Sequence, residues 1–174
     1  MLVLKIIACI MIVIPSSIIG IMIGKRYSNR VKNINDLINC LLILETEIVY
    51  LSNPVKVAFK NVHKKMRNNT SYLFKETIEL LNMNTNITLY YALKEVINKS
   101  GSSLDFNEDD LNILLSLGKV IGITDKEEQK KYFDSSIQQL KIQRQQAIEK
   151  MNKNENLYKK LGVLLGMLII LIFI

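Results

Sequence analysis

A chain of 174 residues with a net charge of +7, 49% hydrophobic and 22% charged residues, holds one domain and little more. Two Pro, seven Gly and no Trp, in a background of Leu, Ile, Lys, Glu, Asn and Gln, disfavour hairpins and favour helix. Cys9 and Cys40 form neither a metal-ligand spacing nor a disulfide framework. With no groove-reading helix, RNP motif or Gly/Arg tract in view, the basic balance points to anionic headgroups and away from nucleic acid.

The apolar residues concentrate at the two ends. Ile6 to Gly24 carries no charge. At about 1.5 Å per residue this block reaches about 29 Å, enough to span the hydrocarbon core of a bilayer. Pro15-Ser16-Ser17 falls in its middle, where a kink is expected. Small residues are not placed for signal cleavage around Ser17 to Ile21, and a lipoprotein box ending at Cys9 leaves too short an apolar region before it. The block is therefore expected to stay as a membrane helix, residues 1–24. Leu161 to Ile174 is a second uncharged block. It is shorter, about 21 Å as a helix, apolar on every side, and preceded by Tyr158, Lys159 and Lys160 at the place of an interfacial belt. A short C-terminal transmembrane helix is expected over 161–174. Gly20-x-x-x-Gly24 and Gly162-x-x-x-Gly166 supply small-residue patterns that let membrane helices approach closely. Lys25, Arg26, Arg30 and Lys32 follow the first block, and Lys150, Lys153, Lys159 and Lys160 precede the second. The positive-inside rule then puts the central domain, 25–160, in the cytoplasm.

Between the blocks the spacing predicts about six helices. From Tyr27 to Asn53, Ile34, Leu37, Leu41, Leu44, Ile48 and Leu51 form a heptad-like seam. Asn53-Pro54 is expected to end it and to start the next helix, with Asn53 as N-cap. Val55, Ala58, Phe59, Val62 and Met66 share one face up to Arg67. Thr70 is expected to cap a short helix through Leu81, and Thr88 to Lys99 forms another. Asn107 followed by Glu108-Asp109-Asp110 makes an acidic first turn, and Gly122 closes that segment. Thr124 to Glu127 fits a capping box for the longest helix. Its seam, Phe133, Ile137, Leu140, Arg144, Ala147, Met151, Asn154, Tyr158 and Leu161, runs into the C-terminal block without Pro or Gly. The fold class is all-α, a cytoplasmic bundle between two terminal membrane helices.

The chemistry-bearing residues are sparse. His63, the single histidine, lies among Lys64, Lys65 and Arg67 and suits a surface or core-edge role. Glu45 and Glu47 are two apart and point to different faces of a helix. Glu108-Asp109-Asp110 lacks the Gly and the twelfth-position Glu of a calcium loop. No phosphate loop, GxSxG or HExxH motif occurs, so no catalytic residue, metal or cofactor is assigned. Lys56, Lys60, Lys64 and Lys65 form a basic stripe, read either as a solvated face or as a contact for headgroups or an acidic partner.

Three stretches in order carry a resemblance. They are Glu45-Thr-Glu-Ile-Val-Tyr50 with Asn53-Pro54 and Ala58-Phe59, then Leu117 to Tyr132 with Gly122, Asp125 and Gln129, then Tyr158 to Gly166. Together they resemble stage III sporulation protein AB of endospore-forming bacteria, with Val55 standing where Leu is usual. That family is similar to the cytoplasmic domain of the type II secretion F-protein. The resemblance implies a non-catalytic platform in a channel complex between mother cell and forespore, on the mother-cell side of the engulfing membrane. It implies a secretion-type ATPase, stage III sporulation protein AA, and other channel proteins as partners; the apolar blocks add the bilayer, and self-association stays open. Glu45, Tyr50, Pro54, Asp125 and Gln129 are the motif positions, open to roles in packing, capping or partner contact. The rival expectation is a membrane-proximal dimerisation or signalling module. An exposed seam would favour the rival, and a seam buried by the chain's own short helices favours the platform. A lipid-directed enzyme would need a converging acid and base, which the sequence does not offer.

Overall fold

The computed structural model describes the backbone of residues 2–84 and 86–173, and the side chains of 11–161 except 12, 13, 85, 102 and 159, together with 164 and 167. The chain is all-α, with six α-helices and no strand among the described residues. Two are long: α1, Leu2–Glu45, and α6, Lys126–Phe173. Four short ones lie between them in sequence: α2, Val55–Met66, α3, Tyr72–Met83, α4, Leu89–Ser100, and α5, Glu108–Gly118. A π-helical turn, Thr46–Tyr50, follows α1, and a 3₁₀ turn, Gly101–Leu104, follows α4. The expected six helices are present, and α1 runs through Pro15.

The chain divides into two compact units. Residues 32–145 form the bundle, and residues up to 31 with those from 146 form the other. In the bundle, α1 and α6 run antiparallel, because Arg144 donates to Asn35 Oδ1 at 2.8 Å while Glu45 feels the charges of Asp134 and Lys130. The α1 seam does what its spacing predicts: Ile34, Leu37, Leu41, Leu44 and Ile48 are all buried, as are Phe133, Ile137, Leu140 and Ala147 of α6. α3 packs between α2 and α4, and α4 against α5. Phe59 and Phe74 meet edge to face at 5.2 Å, a preferred aromatic geometry, in the α2–α3 contact. Asn33 ties α1 to the 3₁₀ turn through the Leu104 carbonyl at 2.6 Å.

Leu51 departs from the seam and is 58% exposed. The π-turn is the reason. Thr46 Oγ1 donates to the Leu42 carbonyl, and Leu51 N donates to Thr46 O, five residues back. The wider turn rotates the residues after Ile48 away from the α-helical register, so Leu51 faces out.

Three caps also differ from expectation. Pro54 is the N-cap of α2, because the Asn53 amide is drawn to Glu47. Ser71 precedes α3, and Thr70 lies buried with its hydroxyl unpartnered. At α6 the cap is one residue later than Thr124: Glu128 N donates to Asp125 Oδ1 at 2.8 Å, while Thr124 back-bonds to Val120 O. The remaining starts are as predicted. Thr88 caps α4, and Asn107 with Asp110 forms a capping box at α5.

In the other unit, Tyr27 and Tyr158 stack at 5.7 Å with rings 15° apart, joining the α1 and α6 segments. Gly20 and Gly24 are buried there. Among the described residues no helix is long and apolar enough to cross a membrane. The side chains of much of the first apolar block and of most of the second, and the placement of Gly162 and Gly166, lie outside what is described.

Gly122 closes the turn before α6 with φ +79°, and a Cβ there would stand 3.0 Å from Val55 Cγ2. Both conditions require glycine. Gly122→Ala is expected to lower stability by about 1–2 kcal/mol, read as a drop in thermal midpoint.

Candidate functional site

Two of the three sequence stretches singled out above meet at one end of the bundle, opposite residues 32 and 145. The first is the π-turn with the loop to Pro54. The second is the turn from Lys119 to Asp125 and the start of α6. Lys126 Nζ donates to Ser52 Oγ at 2.5 Å, and Gly122 abuts Val55. Lys130 lies 6.0 Å from the Tyr50 ring centroid. Ser52 takes φ +56°, a left-handed conformation uncommon outside glycine, to turn the chain between these contacts.

Glu47 organises the junction. Its side chain is 2% exposed and accepts three hydrogen bonds at 2.7 Å, from Lys65 Nζ, Asn61 Nδ2 and Asn53 Nδ2. Asn61 and Lys65 are four apart on α2 and so share a face. One carboxylate thereby holds α2 and the loop to the π-turn. The Lys65 and Asn61 bonds lead in keeping its pKa low, at about 2, against the opposing effect of burial. By spacing alone Glu47 is one of two diverging carboxylates. The available signal was Asn61 and Lys65 at helical spacing behind Asn53.

Glu45 faces the other way, as its spacing requires. It is buried against α6, and burial, then the charge of Asp134, raise its pKa, with Lys130 in opposition. Pro54 and Asp125 are helix caps. Gln129 is buried, its amide donating to Thr124 O at 2.7 Å, and its Oε1 has no partner. Tyr50 is 61% exposed. Thus Glu45, Pro54, Asp125 and Gln129 serve the junction, while Tyr50 with Leu51 and Ile123 presents apolar surface beyond it. The structure brings no nucleophile, acid and base together here. His63 lies elsewhere on α2, with Nδ1 3.0 Å from Ser71 Oγ. No group of three His, Cys, Asp or Glu among the described residues could hold a metal ion.

The model of the family "Stage III sporulation protein AB" matches residues 5–174. The chain belongs to that family. It is similar to stage III sporulation protein AB of Bacillus subtilis (strain 168), with 27% identity over 169 residues, covering 97% of this chain and 98% of the relative. A solved structure of a stage III sporulation protein AB superposes with a TM-score of 0.64 at 23% identity, covering 71% of this chain and 96% of the other. That likeness is one of fold. The family match spans both stretches that form the junction, together with the terminal one.

The two glutamates should respond oppositely. Glu47 has a depressed pKa, so its contribution is full above the unfolded carboxylate value and is lost as pH falls through about 2. Glu45 has a raised pKa, so its ionisation costs stability as pH rises through its folded value. At pH 7, Glu47→Gln is expected to lower the thermal midpoint by several degrees, from loss of charge-assisted bonds worth about 1.5–3 kcal/mol. Glu45→Gln is expected to hold or raise it. Circular-dichroism melts of the two variants beside the parent check both signs.

Proposed function

We propose that the chain is a non-catalytic, membrane-anchored helical platform of the sporulation channel complex between mother cell and forespore, with a secretion-type ATPase as its partner. The family supports the sporulation role. One structural observation carries the anchor. In the unit formed by the two chain ends, the glycines Gly20 and Gly24 are buried, while Ile19, Met22, Leu164 and Met167 are 57–62% exposed. Water would favour the reverse. Exposed large apolar side chains around a small-residue contact are the arrangement that suits lipid.

The apolar blocks 1–24 and 161–174 then act as paired transmembrane helices, the second short enough to need its neighbour. Lys and Arg flank both blocks on the bundle side and set the bundle in the mother-cell cytoplasm. The Tyr27–Tyr158 stack falls where aromatic rings gather at a membrane interface. Gly162 and Gly166 give the second block the same small-residue spacing as Gly20 and Gly24.

The rival, a membrane-proximal dimerisation or signalling module of another system, has less support. It needs the long seams for a second copy, and the chain's own helices bury them from Ile34 to Ile48 and from Phe133 to Ala147.

In-membrane crosslinking from sporulating cells tests the platform. The full chain should recover stage III sporulation protein AA from the membrane fraction, and a chain truncated after Tyr158 should lose it. A truncated chain that localises and crosslinks like the full one would refute the two-helix anchor.

A further inference from the structure

Charge in the bundle is nearly balanced but strongly segregated. Residues 32–145 hold fifteen Lys or Arg and fourteen Asp or Glu. From Ile48 through Lys75 there are six Lys or Arg and no carboxylate. A surface kept merely soluble intersperses the two signs. Here the cations gather on α2 and the start of α3.

The structure explains some of them. Lys65 is held by Glu47, and Lys56 caps α3 by donating to Leu81 O and Asn82 Oδ1, both at 3.2 Å. Lys60 and Lys64 are exposed, four residues apart, and meet no carboxylate among the described residues. Lys60 also lines a groove of about 290 Å³ between α2 and α3, with His63, Lys75, Ile78, Glu79 and Asn82. Half-buried Ile78 gives the groove an apolar element, and Lys60 and Lys75 give it cationic walls. Lys75 has one internal partner, Glu79 at 3.6 Å in an exposed pair four residues apart, a contact readily exchanged for another carboxylate.

We propose that this α2–α3 face docks an acidic, partly apolar segment of a protein partner, its carboxylates meeting Lys60, Lys64 and Lys75 and an apolar side chain meeting Ile78. The proposal rests on the platform reading, since it supplies the surface on which such a platform holds its ATPase. Charge complementarity selects an acidic occupant. A protein segment is favoured over headgroups because half-buried Ile78 offers the groove an apolar contact for a side chain.

The test uses the full chain in nanodiscs of zwitterionic lipid, titrated with purified stage III sporulation protein AA. Lys60→Glu with Lys64→Glu, and separately Lys75→Glu, should weaken binding about tenfold or more, with steep salt dependence. Lys94→Glu on α4 should bind like the parent, and unchanged helical circular dichroism should show that each variant is folded. Equal binding by parent and variants overturns the docking face and leaves the platform standing. No binding by the parent overturns both. Variants that lose only flotation with anionic vesicles, or only self-association, overturn the protein-segment assignment in favour of lipid or a second copy.

Discussion

A carboxylate taken out of water must be met by donors, and Glu47 is met by three. Lys65, Asn61 and Asn53 come from one helix and the loop before it, so the position of α2 follows from one side chain at the end of α1. The π-turn lets this happen. An α-helical continuation would carry Leu51 inward along the seam. The wider turn sends Leu51 and Tyr50 outward and leaves Glu47 facing α2. From there the loop is short, and Pro54, Gly122 and Lys126 fix it against the start of α6. The junction is thus a mechanical closure of the bundle.

Much of this fold is legible in the sequence because its helices are amphipathic and its long seams keep a 3-4 spacing. Ile34 through Ile48 and Phe133 through Ala147 are buried as that spacing demands. The failures are local and share a cause. Asn53, Thr70 and Thr124 all look like helix caps, but each sits where another group competes for it or takes its place. Asn53 goes to Glu47, Thr124 back-bonds to Val120, and Ser71 stands between Thr70 and α3. Periodicity carries no information about such competition. Leu51 fails for a related reason, since a 3.6-residue repeat cannot anticipate a π-turn.

The motif positions divide on the same grounds. Pro54 is legible as a helix start and caps α2, Asp125 caps α6, and Gln129 lies buried in the first turn of α6. The importance of Glu47 needed coordinates, because its partners are six, fourteen and eighteen residues away. The two units also differ in what they turn outward. The bundle buries Leu and Phe and turns charge outward, as water requires. The unit of the chain ends buries Gly20 and Gly24 and turns Ile and Met outward.

That inversion is the centre of the functional reading, and spin-label accessibility in liposomes tests it directly. Labels would go singly at Ile19, Met22, Leu164 and Met167 in a chain with Cys9 replaced by Ala. Cys40 would stay, since burial, aided by the charge of Asp36, pushes its thiol up to about 12 and keeps it unreactive. The reading predicts high oxygen accessibility and low accessibility to a water-soluble nickel complex at all four, with the reverse at exposed Leu51 and Ile123. Nickel accessibility at the four sites equal to that at Leu51 would contradict it, because those side chains would then face water.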